Sequence, residues 1–239
     1  MYDTEKVVIW KVVVRSFGLG IVLAICSNCL LLGYDIKLSL YGISLVIFHL
    51  LEFLITAICN SSQLEDDSFI LHDYQLLLVN VVSALEYVVY KYFGFESNWR
   101  QLFAGSVLVI VGQVCRSMAM ITAGESFNHY IQRSKNETHV LVTDGIYSVS
   151  RHPSYFGFFW WFIGLRIFLG SWITLGFGGY QIWNFFNQRI KFEEGLLMKF
   201  FSDYGDYRKK VSIGIPFIYP EEIEEDEEDE KEEETNKDK

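Results

Sequence analysis

The chain has 239 residues, of which 51% are hydrophobic and 17% aromatic, and a formal net charge of −10. Residues 221–239 hold thirteen acids against three lysines and carry all of that charge, so residues 1–220 form a neutral, very apolar body with an acidic appendix. This balance excludes a basic nucleic-acid binder, and the long apolar runs exclude an ordinary soluble domain, leaving a chain embedded in lipid.

The first apolar run covers about residues 17–33. Asp3 and Glu5 lie ahead of it and no small-residue cleavage site follows it, which predicts a retained span rather than a cleaved signal. The next three runs cover about 38–59, 74–93 and 102–123. Each supplies roughly the ~20 helical residues that cross a hydrocarbon core of ~30 Å. The fifth run, 155–186, is too long for one crossing and short for two. Gly170-Ser171 in its middle predicts a tight turn, and Gly157, Gly164, Gly176, Gly178 and Gly179 predict a hairpin whose limbs pack closely. Beyond it, helical periodicity runs from about 184 to 203, read as a separate cytosolic helix.

The expected fold is therefore all-α: a polytopic integral membrane protein of about six transmembrane helices, including a C-terminal helical hairpin. Residues 1–123 carry four N-terminal spans, 124–220 a loop, the hairpin and a C-terminal cytosolic helix, and 221–239 an acidic tail read as disordered and solvated.

Charge placement orients this arrangement, because Lys and Arg near span ends accumulate on the cytosolic side. With cytosolic N- and C-termini, that side holds Lys6, Lys11, Arg15, Arg133, Lys135, Arg151, Arg189, Lys191, Lys199, Arg208, Lys209 and Lys210, against Lys37, Lys91 and Arg100 opposite. An even number of crossings also puts the polar stretches 124–154 and 187–220 in one compartment, where they can build one site. The sequons at Asn60 and Asn136 are then cytosolic and are expected to stay unmodified.

Cys26, Cys29, Cys59 and Cys115 lie inside apolar runs; Cys26-x-x-Cys29 has no partner pair or His cluster, so the cysteines are read as packing residues and no metal site is expected. Ionisable residues within the spans, His49, Glu52, Glu86, Arg116 and Arg166, are costly at that depth and face the bundle interior or a functional path. His49 and Glu52, three apart, share a helix face, which fits a structural pair as well as a site wall.

The polar stretch 124–155 is denser in chemistry. Phe127, His129, Gln132, His139, Tyr147, Arg151, His152 and Tyr155 surround a Thr143-Asp144-Gly145 turn, a mixture suited to a ligand pocket at a membrane edge. The short apolar segment 139–142 offers main-chain N–H and C=O groups that can line an adenine pocket. Pro153, after His152, suits the first turn of a helix. Further on, Arg189 and Glu193 are four apart on one helix face, spacing that serves either a bifunctional site or an ordinary surface ion pair.

The series AGESFNH, HVLVTDGIYSVSRHPSYFGFFWWFIG, FFNQRIKFEEGLL, FFSDYGDYRKKV and IPFI, in that order, resembles the isoprenylcysteine carboxyl methyltransferase family over about residues 112–218. A further segment at 48–57, FHLLEFLITA, looks similar as well. The resemblance implies an integral endoplasmic-reticulum enzyme with a cytosolic cofactor site. It would use S-adenosylmethionine to methylate the α-carboxylate of a C-terminal prenylated cysteine on processed CaaX proteins, farnesylated or geranylgeranylated. Its cofactor residues map to Gln132, His139, Val140, Leu141, Val142, Tyr147, His152, Pro153, Ser154, Tyr155 and Glu193, and its substrate-side, catalytic arginine to Arg189.

The chemistry agrees with this inventory: a carboxylate is already ionised at neutral pH and needs no general base, so positioning and exclusion of water are what the site must provide. A prenyl acceptor also accounts for membrane embedding, since its chain partitions into lipid. The glycines Gly18 and Gly20 leave room for a homo-oligomer. The rival reading is an NADPH-dependent membrane sterol reductase; the chain carries no G-x-G-x-x-G motif for a dinucleotide, although a membrane enzyme need not use one.

Overall fold

A computed structural model describes residues 7–95, 98–133 and 140–219. Six long helices follow one another: α1 (Ile9–Leu31), α2 (Ile36–Cys59), α3 (Tyr74–Tyr92), α4 (Trp99–Ala123), α5 (Pro153–Leu169) and α6 (Trp172–Phe200), with a short α7 (Tyr204–Lys210) after them. No strand forms among the described residues. Three of the helices, α1, α2 and α4 with the turn that extends it, are long and apolar enough to cross a membrane by length and composition alone.

Local chemistry sets the helix starts. Asp35 caps α2 by accepting from Leu38 N at 2.9 Å, Asp73 caps α3 through Leu76 N at 2.9 Å, and Asn98 caps α4 through Gln101 N at 2.9 Å. Pro153 occupies the first turn of α5, as its sequence position predicts. The start of α6 is capped in trans, with Glu86 of α3 accepting from Ile173 N at 2.7 Å and Thr174 N at 2.9 Å. A carboxylate there satisfies donors that a helix N-terminus otherwise leaves unpaired.

The helices alternate in direction, and polar contacts fix both ends of the bundle. At one end Lys91 binds Asp35 at 2.7 Å; at the other Lys11 binds Asp66 at 3.0 Å and Arg15 lies 3.4 Å from the same carboxylate. These ion pairs explain why α1 begins at Ile9, ahead of the expected residue 17: Lys11 and Arg15 are carried inside the helix and their charges meet the loop after α2.

The hairpin turn falls where expected. Gly170 takes a left-handed conformation (φ 82°) and ends α5, with Gly170 N and Ser171 N both donating to the Arg166 carbonyl. Two expectations change. The periodic stretch 184–203 is not a separate helix but the continuation of the second hairpin limb, since nothing between 172 and 200 interrupts the helical ladder. At 29 residues α6 is about 44 Å long, so its last turns reach past an apolar core of ~30 Å.

The close glycine contacts also lie elsewhere than expected. A Cβ on Gly112 would stand 2.4 Å from Trp161 N and 2.6 Å from Gly157 O, and one on Gly164 would stand 2.7 Å from Val109 N. Gly105, against the Phe168 backbone, and Gly157, against the Arg116 backbone, complete a four-glycine seam. Gly157 and Gly164 thus pack α5 on α4 rather than on α6, backbone to backbone. Gly176 meets nothing within 4 Å, and Gly178 and Gly179 meet side-chain atoms at ordinary or slightly tight distances.

Beneath this seam Phe48, Trp161, Leu165 and Phe168 form the main apolar core. Arg166 is fully buried within it. Its Nη2 donates to Asn80 Oδ1 at 2.7 Å, Asn80 Oδ1 also accepts from the Tyr41 hydroxyl at 2.9 Å, and the guanidinium lies 3.7 Å from the Phe162 ring centroid. One charge is thereby shared among α2, α3 and α5 by amide, phenol and ring.

Candidate active site

The end of the bundle that gathers the last turns of α4 and α6, the start of α5 and α7 encloses an open pocket of about 150 Å³. A second hollow of about 440 Å³ adjoins it and shares Val140, Leu141, Phe201 and Tyr207 as walls.

Each wall has a local cause. Residues 140–142 run without helix or strand pairing and line the pocket. Residues 145–148 form a 3-10 turn entered through Gly145 at φ 56°, and it presents Tyr147 to the pocket. Ser150 and Arg151 are held against the stretch after α7: Arg151 N donates to Ser212 O at 3.0 Å and Ser150 Oγ to Ile213 O at 2.7 Å. The Tyr207 hydroxyl of α7 donates to the Tyr147 carbonyl at 2.6 Å, closing the wall. Burial pushes the Tyr207 phenol up to about 12, although the Arg151 charge opposes it, and it also raises Tyr147, helped by the charge of Glu193. Both phenols are neutral at any working pH and act as hydrogen-bond donors.

Of the residues expected from sequence, Val140, Leu141, Val142, Tyr147, His152, Pro153, Ser154, Tyr155 and Glu193 all line the pocket. Arg189 stands immediately behind it. Its Nε donates to the Tyr155 hydroxyl at 2.8 Å and its Nη2 to the His129 carbonyl at 2.5 Å, while the guanidinium carbon lies 5.4 Å from the Tyr155 ring centroid. Tyr155 in turn donates to Glu193 Oε2 at 2.5 Å. Arg189 and Glu193 are therefore not an ordinary surface pair; a phenol stands between them.

Gln132 is not brought in. Its amide reaches the Tyr130 carbonyl at 3.5 Å and does not line the pocket. His139 lies outside the described residues, as do Asn136 and the acidic tail. Asn60, the other sequon residue, is buried and its amide nitrogen donates to the Phe127 carbonyl at 2.5 Å.

Two buried ion clusters support the walls, and sequence reasoning had not assigned either. Glu194 Oε1 accepts from Arg151 Nε at 2.6 Å and lies 3.1 Å from His152 Nε2, with Arg208 Nε 3.5 Å from Oε2. Burial alone would raise this carboxyl, but hydrogen bonds and charges from His152 and Arg151 outweigh it and hold the group at about 2. The His152 ring so fixed stacks on Tyr155, with centroids 5.5 Å apart and planes within 3°. In the second cluster Glu52 of α2 binds Arg116 of α4 through both oxygens, Nη2 to Oε2 at 2.9 Å, and Arg116 Nη1 donates to Ser154 Oγ at 2.9 Å. The signal for this pair was present in the sequence as two opposite charges within spans, each too costly to stand alone.

A family model described as the isoprenylcysteine carboxyl methyltransferase (ICMT) family matches residues 105–199. The chain is 38% identical over 227 residues to the protein-S-isoprenylcysteine O-methyltransferase of Saccharomyces cerevisiae, covering 90% of this chain and 95% of that one. It is 40% identical to the Schizosaccharomyces pombe protein of the same name (84% and 90% covered) and 36% identical to the Homo sapiens one (87% and 75%). A solved structure described as the eukaryotic intramembrane Ras methyltransferase ICMT, without a monobody, superposes with a TM-score of 0.81 at 36% identity, covering 85% of this chain and 75% of that one. On sequence over nearly its whole length, and on fold, this chain belongs to the isoprenylcysteine carboxyl methyltransferase family.

Proposed function

We propose that the chain is a protein-S-isoprenylcysteine O-methyltransferase that moves a methyl group from S-adenosylmethionine to the α-carboxylate of a C-terminal prenylated cysteine. The observation that carries the site assignment is the Arg189–Tyr155–Glu193 bridge at the edge of the pocket, which sets a cation for the acceptor beside an anion for the donor. The reductase reading is not favoured beside relatives named as methyltransferases.

The pocket suits such a donor. Glu193 offers a carboxylate for its ammonium or ribose hydroxyls, Tyr147 and Tyr155 offer π-faces to a sulfonium, and residues 140–142 offer main-chain groups to the adenine. Arg151 Nη2, buried on a lining residue and without a protein partner, suits a carboxylate oxygen. S-adenosylmethionine supplies an electrophilic methyl group on sulfur. The protein supplies alignment: Arg189 holds the acceptor carboxylate by its two Nη groups, the Tyr155 hydroxyl fixes Nε so that this edge faces outward, and the aromatic walls keep out water. No side chain has to remove a proton.

In this reading the chain crosses the endoplasmic-reticulum membrane six times with both termini and the site cytosolic. A farnesyl or geranylgeranyl chain reaches Arg189 from the lipid while the donor arrives from water. The alternating helices and the basic residues at the site end support it.

Methyl transfer from labelled S-adenosylmethionine to a farnesylcysteine acceptor in isolated membranes tests the assignment, together with thermal stabilisation by S-adenosylhomocysteine but not by NADPH. Stabilisation by NADPH without methyl transfer would overturn it.

A further inference from the structure

Glu52 lies far from the pocket in sequence and outside the segment 105–199, yet it connects to Arg189 in two steps. Its Oε2 stands 3.1 Å from the His129 ring Nε2, and the His129 carbonyl accepts from Arg189 Nη2 at 2.5 Å. A carboxylate needed only to join α2 to α4 would be satisfied by Arg116, which already binds it through both oxygens. Here Oε2 carries a second partner, and that partner's main chain is what the catalytic guanidinium leans on.

The surrounding contacts serve the same end. Asn60 Nδ2 donates to the Phe127 carbonyl at 2.5 Å and Asn128 Nδ2 to Gln63 Oε1 at 3.2 Å, so the end of α2 and the turn after it grip three successive residues, 127–129. The Phe127 ring packs edge-on against the His129 imidazole, with centroids 5.1 Å apart. His129 is the last of the three residues and the one that touches Arg189. Its imidazole can be removed without removing either member of the Glu52–Arg116 pair.

We propose that Glu52, acting through the His129 side chain, is a positioning residue that sets the direction of the Arg189 guanidinium toward the acceptor carboxylate. The inference rests on Arg189 being the acceptor clamp. It makes the α2 segment FHLLEF part of the active-site frame, whereas its spacing alone fitted a structural pair equally well. A donor at the position of His129 Nε2 is what the frame requires, and a glutamine amide places one at similar reach.

The experiment compares full-length wild type, His129→Leu and His129→Gln in membranes, measuring KM and kcat for a farnesylcysteine acceptor and, separately, affinity for S-adenosylhomocysteine. The expected result is an acceptor KM raised at least ten-fold in His129→Leu, brought back to within about three-fold of wild type by His129→Gln, with cofactor affinity within two-fold in both. Retained cofactor binding shows that both variants fold. An acceptor KM in His129→Leu equal to wild type overturns the inference, as does equal loss of cofactor affinity and acceptor KM in both variants. Wild-type membranes that methylate no prenylcysteine would instead remove the function on which it rests.

Discussion

The Tyr155 hydroxyl accepts a hydrogen bond from Arg189 Nε at 2.8 Å and gives one to Glu193 at 2.5 Å, so one oxygen joins the two charges that the sequence places a helical turn apart. Removing it frees both. A hydrogen bond to a charged group contributes roughly 1.5–3 kcal/mol, so Tyr155→Phe is expected to lower kcat/KM for the acceptor by roughly ten-fold or more, measured by methyl transfer to farnesylcysteine. Arg189→Ala, which removes the proposed clamp itself, should cost at least ten times more than that. Wild-type kcat/KM in Tyr155→Phe would show that Arg189 is oriented without the phenol.

Glu194→Gln should destabilise the protein rather than alter acceptor selectivity. Glu194 is 3% exposed and its carboxylate contacts Arg151, His152 and Arg208, and breaking a buried pair from one side costs about 3–5 kcal/mol. The effect has a pH signature. The group's ordinary value of 4.5 falls to about 2 in the fold, so its contribution is complete above 4.5 and fades as pH drops toward 2. Melting temperature in detergent between pH 7 and pH 3 should therefore fall more steeply for wild type than for Glu194→Gln.

The α4–α5 seam predicts a contrast between glycines. A methyl group at Gly112 would stand 2.4 Å from a backbone nitrogen, whereas at Gly18 it meets nothing within 4 Å. Gly112→Ala is expected to cost about 1–3 kcal/mol through forced backbone movement, while Gly18→Ala should be neutral or slightly stabilising by helix propensity. Thermal denaturation of the two variants side by side checks this; similar melting points would mean the seam yields easily.

Asn60 is expected to carry no glycan. Its amide nitrogen is buried and already donates to Phe127, so a mass shift on endoglycosidase treatment that disappears in Asn60→Gln would contradict both the local structure and the proposed orientation.

Much of the frame was legible because it depends on local signals. Pro153 opens α5 and Gly170-Ser171 makes the turn, both where the sequence puts them. What periodicity cannot give is the identity of the neighbour. Gly157 and Gly164 mark a face for close approach, expected to meet the second hairpin limb, but α4 fills it. Glu193 and Glu194 are adjacent, about 100° apart around the helix, so one faces the pocket and the other the interior; nothing in the doublet says which. Gln132, expected at the cofactor, lies outside the pocket lining, with its amide 3.5 Å from the Tyr130 carbonyl.

The glycine seam also restricts traffic. Where α4 and α5 touch backbone to backbone along four glycines, no hydrocarbon chain can slip between them, and the two helices form a closed partition. A greasy substrate diffusing in the plane of the bilayer has to find its doorway along another side of the bundle.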